Sequence, residues 1–237
     1  MQEKKLKIDP HTHSNGISLC SRLTVQEIID EKKRRGYDGI VLTNHCQGHY
    51  YPEVEHAAYI ERVIEEYRRA KAYGETQNFL VMLGLEVSIV DPSYNDWLLY
   101  GVTEEFLRAS PCLYKMSQRG LFELCEKWGV VLVQAHPFRN SGWGEKEFMH
   151  GAEINCSKGD AYLANDVLAL AEERGLLVTC GTDFHFTDNT YQGGMLVPAD
   201  IKTSVDFANY LKTSACTEIF LEDRTVLAPT QKKLAKK

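Results

Sequence analysis

The stretch Leu176-Leu177-Val178-Thr179-Cys180-Gly181-Thr182-Asp183-Phe184-His185 joins an apolar run to a polar segment with a carboxylate and an imidazole two residues apart. Leu176 to Thr179 reads as a buried strand that ends at the turn-forming Gly181. Four earlier segments repeat the pattern. Leu6-Lys7-Ile8 runs into Asp9-Pro10-His11-Thr12-His13-Ser14, and Gly39-Ile40-Val41-Leu42 into Thr43-Asn44-His45. Phe79 to Leu83 leads to Gly84-Leu85-Glu86, and Val130 to Val133 leads to Gln134-Ala135-His136-Pro137. Val130 to Val133 is almost wholly β-branched, as expected of a strand covered on both faces.

Helices fall between these strands. Thr24 followed by Glu27 forms a capping box for a helix from Val25 to Arg35, which Gly36 ends. Tyr59, Ile60, Val63, Ile64 and Tyr67 recur at helical spacing within a long helix from about Glu53 to Tyr73. Further helices are expected from Lys115 to Trp128 and from Asp160 to Arg174. Trp97 to Tyr100 and Ala152 to Asn155 complete the strands before Leu176. Beyond His185, strands at Gly194 to Val197 and Ile219 to Leu221 flank a helix near Val205 to Leu211. Alternation of this kind predicts a parallel α/β sheet. With this many units a closed or distorted barrel is expected, and no GxGxxG or P-loop supports an open nucleotide-binding sheet.

The 237 residues suit one large barrel domain, and the chain contains no repeat, low-complexity stretch or Pro/Gly/Ser linker. A hydrophobic fraction of 43% and a charged fraction of 25% are ordinary for a soluble globular protein. The formal net charge of −6 disfavours a nucleic-acid partner that needs a broad basic face. The basic run Lys232-Lys233-Leu234-Ala235-Lys236-Lys237 belongs to a solvated tail expected from about residue 228. No apolar run approaches the ~20 residues of a membrane span, and no signal peptide is visible. Seven cysteines without a CxxC pair suit reduced thiols in a cytoplasm.

Position is what makes the polar residues informative. Barrel enzymes carry their sites where the C-terminal ends of the strands converge. Five strand ends here supply His11, His13, His45, Glu86, His136, Asp183 and His185. Residues i and i+2 of an extended segment share a side, so His11 with His13, and Asp183 with His185, can each serve one site. Imidazole with carboxylate suits Zn, Mn or Fe. Seven ligands exceed one tetrahedral ion, so two or three divalent ions are expected, with Glu86 or Asp183 bridging. His49, His56 and His150 fall in loops or on a surface helix and read as ordinary residues.

Taken together, these segments resemble the motifs of the PHP (polymerase and histidinol phosphatase) superfamily. Asp9 to Ser14 looks like its DxHxH motif, Thr43-Asn44-His45 its TDH motif and Glu86 its single glutamate. Ala135-His136-Pro137-Phe138-Arg139 resembles the HP motif and Gly181 to His185 the GSDxH motif. The resemblance runs from Ile8 to His185. It implies a distorted (β/α)7 TIM-like barrel whose two- or three-metal cluster hydrolyses phosphoesters. By that likeness His11, His13, Glu86 and Asp183 hold one ion, Glu86 and His136 a second, and His45 and His185 contribute to a third.

The chain departs from the family in three places. Asn15 to Arg22 offers neither carboxylate nor imidazole where many members complete the third site. Cys20 is the one strong donor there, and a buried structural thiol is the expected reading. A family histidine near the fourth strand is missing too, with Asn95, Asp96 or water as replacements. Asn44 stands where TDH has Asp, which removes a charge beside the ligands.

The expected activity is hydrolysis of a small phosphomonoester by metal-activated water. Arg139 is the first candidate to hold the phosphate and Arg22 a second, while Asp183 or His185 are candidates to deliver a proton. A phosphodiesterase or nuclease, a C–N amidohydrolase and a silent metal-binding domain are the rival readings. The loops Gln47 to Pro52 and Asn140 to Phe148, with Tyr50, Tyr51, Trp143 and Phe148, are expected to shape specificity.

Overall fold

Short apolar strands and amphipathic helices alternate along most of the chain. The order is β1 (Lys5–Thr12), α1 (Val25–Arg34), β2 (Gly39–Leu42), β3 (His45–Cys46), α2 (His56–Thr76), β4 (Leu80–Ile89) and β5 (Asn95–Tyr100). Then come α3 (Glu104–Ala109), α4 (Gln118–Trp128), β6 (Val131–Gln134), β7 (Gly151–Asn155), α5 (Ala164–Arg174) and β8 (Leu177–Gly181). Last are β9 (Gly193–Pro198), α6 (Ser204–Thr213), β10 (Cys216–Leu221) and β11 (Thr225–Pro229). This is a computed structural model, which describes residues 4–89, 94–139, 142–157, 163–222 and 224–229.

Strands β1, β2, β4, β5, β6, β7 and β8 lie side by side in that order, curling into a nearly closed barrel. Its last join is thin. A single bridge pairs Thr12 with Phe184, and the backbone bonds there are His13 N to Phe184 O at 3.0 Å and Phe184 N to His11 O at 3.2 Å. β9, β10 and β11 extend the sheet antiparallel from the other side of β1.

The expected all-parallel sheet fails at β5, which runs antiparallel to both β4 and β6. Only residues 90–94 separate β4 from β5. A parallel return needs a crossover of roughly a dozen residues or more, so the strand reverses. Its N-terminal end, with Asn95 and Asp96, therefore reaches the same mouth as the C-terminal ends of its neighbours.

Alternation in β4 separates two layers. Val81, Leu83, Leu85, Val87 and Ile89 pack toward the helices, whereas Met82 joins Ile8, Val41, Leu98 and Val133 inside. Glu86 shares the inward parity of Met82. Gly84, between them, has no room for a side chain: a Cβ there would meet Val41 Cγ1 at 2.7 Å. Phe207, Ala208 and Leu211 of α6 close the opposite end of the barrel, with Phe207 edge-on to Tyr100 at 5.2 Å between centroids.

Several boundaries differ from expectation. The capping box of α1 is present as read, and the helix stops at Arg34. α2 is preceded by a 3-10 turn at Glu53–Glu55 and runs on to Thr76. α4 starts at Gln118 rather than Lys115 because the Ser117 side chain caps it. α3 has no counterpart in the sequence reading, and Thr103 caps it in the same way. The start of the helix expected at Asp160 lies outside the described residues, as does the basic run 232–237. Ala228, where the tail is expected to begin, is instead buried in β11. No described helix is long and apolar enough to cross a membrane.

Candidate metal centre

His11 and His13 enter the barrel through a bulge. Ile8 already points inside, so strict alternation would carry Pro10 and Thr12 there. Between Asp9 and Thr12, however, β1 holds one residue more than the facing stretch of β2. An extra residue reverses the parity of every residue after it in the strand, and His11 and His13 turn into the barrel mouth. Gly181 makes space for them, since a Cβ on it would lie 2.5 Å from His11 Cβ.

Asp9 fastens the bulge. Its carboxylate accepts from His11 N at 3.2 Å and Thr182 N at 3.0 Å, and pairs with the fully buried Lys32. Lys32 also donates to Thr182 Oγ1 at 2.8 Å. Asn44 anchors the next loop by accepting from Ser14 N at 2.8 Å and donating through Nδ2 to Ser14 Oγ at 3.0 Å. Donation of that kind needs an amide, which accounts for Asn where the motif has Asp. His136 and Asp183 hold left-handed backbone, at φ 28° and 51°. Such angles are strained for residues with a side chain and concentrate at functional sites.

The seven candidate ligands converge. His11 Nε2 lies 3.5 Å from both Glu86 Oε2 and Asp183 Oδ1, and His13 Nε2 lies 3.3 Å from the same two atoms. His136 Nε2 is 3.1 Å from Glu86 Oε1, and His45 Nδ1 is 2.8 Å from Glu86 Oε2. Three groups result, each with donor atoms within 4.8 Å of one another: His11, His13, Glu86 and Asp183; Glu86, Asp96 and His136; and His13, His45 and His185. Asp96 thus joins the second set, in place of the missing histidine.

This donor set fits metal ions better than it fits itself. His11 Nε2, His13 Nε2, His45 Nδ1 and Glu86 Oε2 are buried with no hydrogen-bond partner, although each is close to another of the group. Buried polar atoms are rarely left unsatisfied, and these aim at shared points rather than along hydrogen bonds. His11 Nδ1 is taken up by Glu153 Oε1 at 2.7 Å, which leaves Nε2 to face the site. Glu153 also accepts from His136 N at 3.1 Å, so one buried carboxylate orients two ligands. Sequence reading misses Glu153. A charged residue within the apolar run of β7 was the available signal.

Electrostatics follow from the crowding. Burial penalises the charged form of His11, yet Glu153, Glu86 and Asp183 push its pKa well above the ordinary range. His45 is raised to about 10, against burial, chiefly by Glu86, and His185 to about 9 by Asp183 and Cys20. His13 goes the other way, lowered by burial and by His185 and His45. Burial alone would raise the Glu86 and Asp183 carboxyls, but the surrounding imidazoles hold both well below the usual range.

A cleft of about 730 Å³ opens over the ligands. Arg139 lines it, bonded to Asp183 Oδ2 at 2.7 Å, Asn155 Oδ1 at 3.1 Å and Ser157 Oγ at 2.6 Å. Arg22 is not among the lining residues. It is exposed, with its guanidinium 5.2 Å from the centre of the Phe186 ring. Tyr50 reaches the cleft as expected, but Tyr51 is buried against Tyr59, Trp143 packs on Phe138, and Phe148 lies near Phe122. Tyr94, Phe186 and Tyr191 line it instead, and so does His49, which reads from sequence as an ordinary loop residue. His56 and His150 do serve structure, bonded to Ser110 O and Leu132 N. All seven cysteines are free, but Cys20 is exposed at the cleft rather than buried. Hydrogen bonds from His185 and His45 outweigh its partial burial and pull its thiol down to about 5.

No protein-family model matches the chain, and no curated protein is significantly similar to it. Solved structures are similar. A two-domain protein from Bacteroides vulgatus, containing a predicted PHP-like metal-dependent phosphoesterase, superposes with a TM-score of 0.63 at 18% identity. That match covers 94% of this chain and 66% of the other, so the chain spans just under two thirds of that protein. The fold is PHP-like. A candidate metal-dependent phosphoesterase from Bifidobacterium adolescentis gives a TM-score of 0.56 at 15% identity, covering 84% of this chain and 94% of the other. An amidohydrolase from Chromobacterium violaceum gives 0.57 at 15%, covering 86% and 96%. At such identities the likeness establishes the PHP-like barrel and not the reaction.

Proposed function

We propose that the chain is a metal-dependent phosphoesterase that hydrolyses a small phosphomonoester at a centre of two or three divalent ions. One observation carries the reading. Eight side chains from both sides of the barrel seam converge as three overlapping donor groups, with an arginine at the edge of the same cleft. Divalent ions held by these groups would supply charge to offset the phosphate oxygens and would lower the pKa of a water toward neutrality.

The protein's own residues do the rest. Glu86 belongs to two of the groups and sets their spacing, while Glu153 fixes the ring of His11 and the backbone of His136. Arg139, bonded to Asp183, Asn155 and Ser157, places its guanidinium at the edge of the cleft, where a phosphate would compete with Asp183 for it. Asp183 is held ionised by its imidazole neighbours, so it serves as ligand and anchor for Arg139 rather than as proton donor. Tyr50, Tyr94, Phe186 and Tyr191 give the cleft ring faces for the organic part of the substrate. The acidic chain and the one arginine among the lining residues favour a small ligand over nucleic acid.

Hydrolysis of a C–N bond is the second reading, favoured by the likeness to an amidohydrolase. Against it, the middle strand offers Glu86, and Lys32, the one fully buried lysine among the described residues, is committed to Asp9 and Thr182. Elemental analysis beside assays on p-nitrophenyl phosphate, its bis ester, a short DNA and an N-acyl amino acid separates these readings. Metal-dependent turnover should be fastest on the monoester. Turnover confined to DNA or to the amide would overturn the assignment, and fewer than one bound ion per chain would remove its basis.

A further inference from the structure

We propose that Ser88 is a positioning residue of the metal centre, holding Asp96 so that a single carboxylate oxygen is offered to an ion shared with Glu86 and His136; the inference rests on the metal-centre reading above. Ser88 Oγ donates to Asp96 Oδ1 at 2.5 Å. It is the other oxygen, Oδ2, that approaches His136 Nε2, at 3.8 Å.

The strands dictate this arrangement. Ser88 follows Glu86 by two residues, so both side chains face the barrel mouth. Ser88 and Asp96 stand directly opposite one another in the β4–β5 ladder. That ladder already joins the strands from Gly84 to Ile89, so the hydroxyl is not needed to hold them together. Ser88, Asp96 and Gln47 are all buried, which leaves water little access to replace the serine as donor. Gln47 backs the serine, with Oε1 3.1 Å from Ser88 Oγ and 3.4 Å from the Tyr94 hydroxyl. A hydroxyl has one proton, and a carboxylate holds it more strongly than a neutral amide does. With its amide turned by half a revolution, Gln47 donates from Nε2 to Ser88 Oγ. The hydrogen bonds then run in one direction, from Gln47 through Ser88 to Asp96.

This chain bears on rate more than on binding. Catalytic metal sites keep a position open for water or substrate. Glu86, His136 and one oxygen of Asp96 make three donors and leave such a position. Released from Ser88, the Asp96 carboxylate can turn and close both oxygens on the ion. Metal would still bind, but the open place would be filled.

Cobalt(II) loading, visible spectra and turnover of the full chain distinguish this from a merely structural role. Ser88→Ala should take up as many cobalt ions as the parent, with weaker d–d bands, because an added ligand lowers their intensity. Its kcat on p-nitrophenyl phosphate should fall about 10–100-fold, with KM little changed. Ser88→Thr, which keeps the hydroxyl, should restore spectrum and rate, whereas Ser88→Val, of the same shape without it, should not. That pair decides the matter even if Ser88→Ala fails to fold. A parent-like spectrum in Ser88→Ala or Ser88→Val, or the loss of one equivalent of cobalt, overturns the positioning role and leaves the metal-centre reading standing. No cobalt uptake by the parent overturns both. Cobalt uptake without monoester turnover overturns the phosphomonoesterase reading alone, and the spectra still decide the role of Ser88.

Discussion

Glu153 holds His11 Nδ1 at 2.7 Å inside a fully buried barrel interior, so its loss acts on the metal through a ring it does not share. Outer carboxylates of this kind are worth about 10–100-fold in metal affinity. Glu153→Gln is expected to weaken binding by that factor in a chelator competition while the fold survives. Glu86 is different, because it belongs to two donor groups; Glu86→Gln should abolish loading of both and reduce turnover to background. Protons obey the same geometry. Without metal, His45 and His185 titrate at about 10 and about 9, so both carry protons at neutral pH. Metal must displace them, and apparent affinity should rise as pH increases from 7 toward 9. Calorimetry in two buffers of different ionisation enthalpy should show net proton release; none would contradict the raised pKa values.

Among the elements, α1 and β8 make a useful contrast. Removing the capping box by Thr24→Ala should cost about 1 kcal/mol in urea unfolding, with metal stoichiometry unchanged, since the cap lies on the surface. Gly181→Ala touches the site instead, driving a methyl group into His11. It should lower metal affinity, and the competition assay reads that loss. The strands were legible in sequence because runs such as Val131 to Val133 are buried on both faces and need no partner to announce them. β5 was legible as a strand but not as a reversed one, although the short link after β4 held the answer. The i,i+2 spacing of His11 and His13 located the ligands, yet the bulge that turns them inward is a property of pairing between strands. Asp96 was an open position in sequence because its role depends on β5 running back to the mouth beside Glu86 and His136. Glu153 was hidden for the same reason, lying 142 residues from the ring it orients.

For the whole molecule, a closed or distorted barrel and its mouth followed from the repeated strand-to-ligand pattern and the count of seven strands from the family resemblance, while the antiparallel β9–β11 extension did not. Those strands pair outside the repeat, where hydrophobic runs carry no marker of order. The weakest part of the architecture is the join between β1 and β8, with its single bridge. His11 and His13 stand on one side of it, Asp183 and His185 on the other. An ion held between them would act as a rivet across a slit that the backbone barely closes. Chelation should therefore speed hydrogen exchange at the His13 and Phe184 amides, leaving the β4–β5 ladder as slow as before. Equal protection with and without metal would count against the rivet. In a cell short of metal, that slit is where the chain would begin to unzip and where a protease would first gain hold.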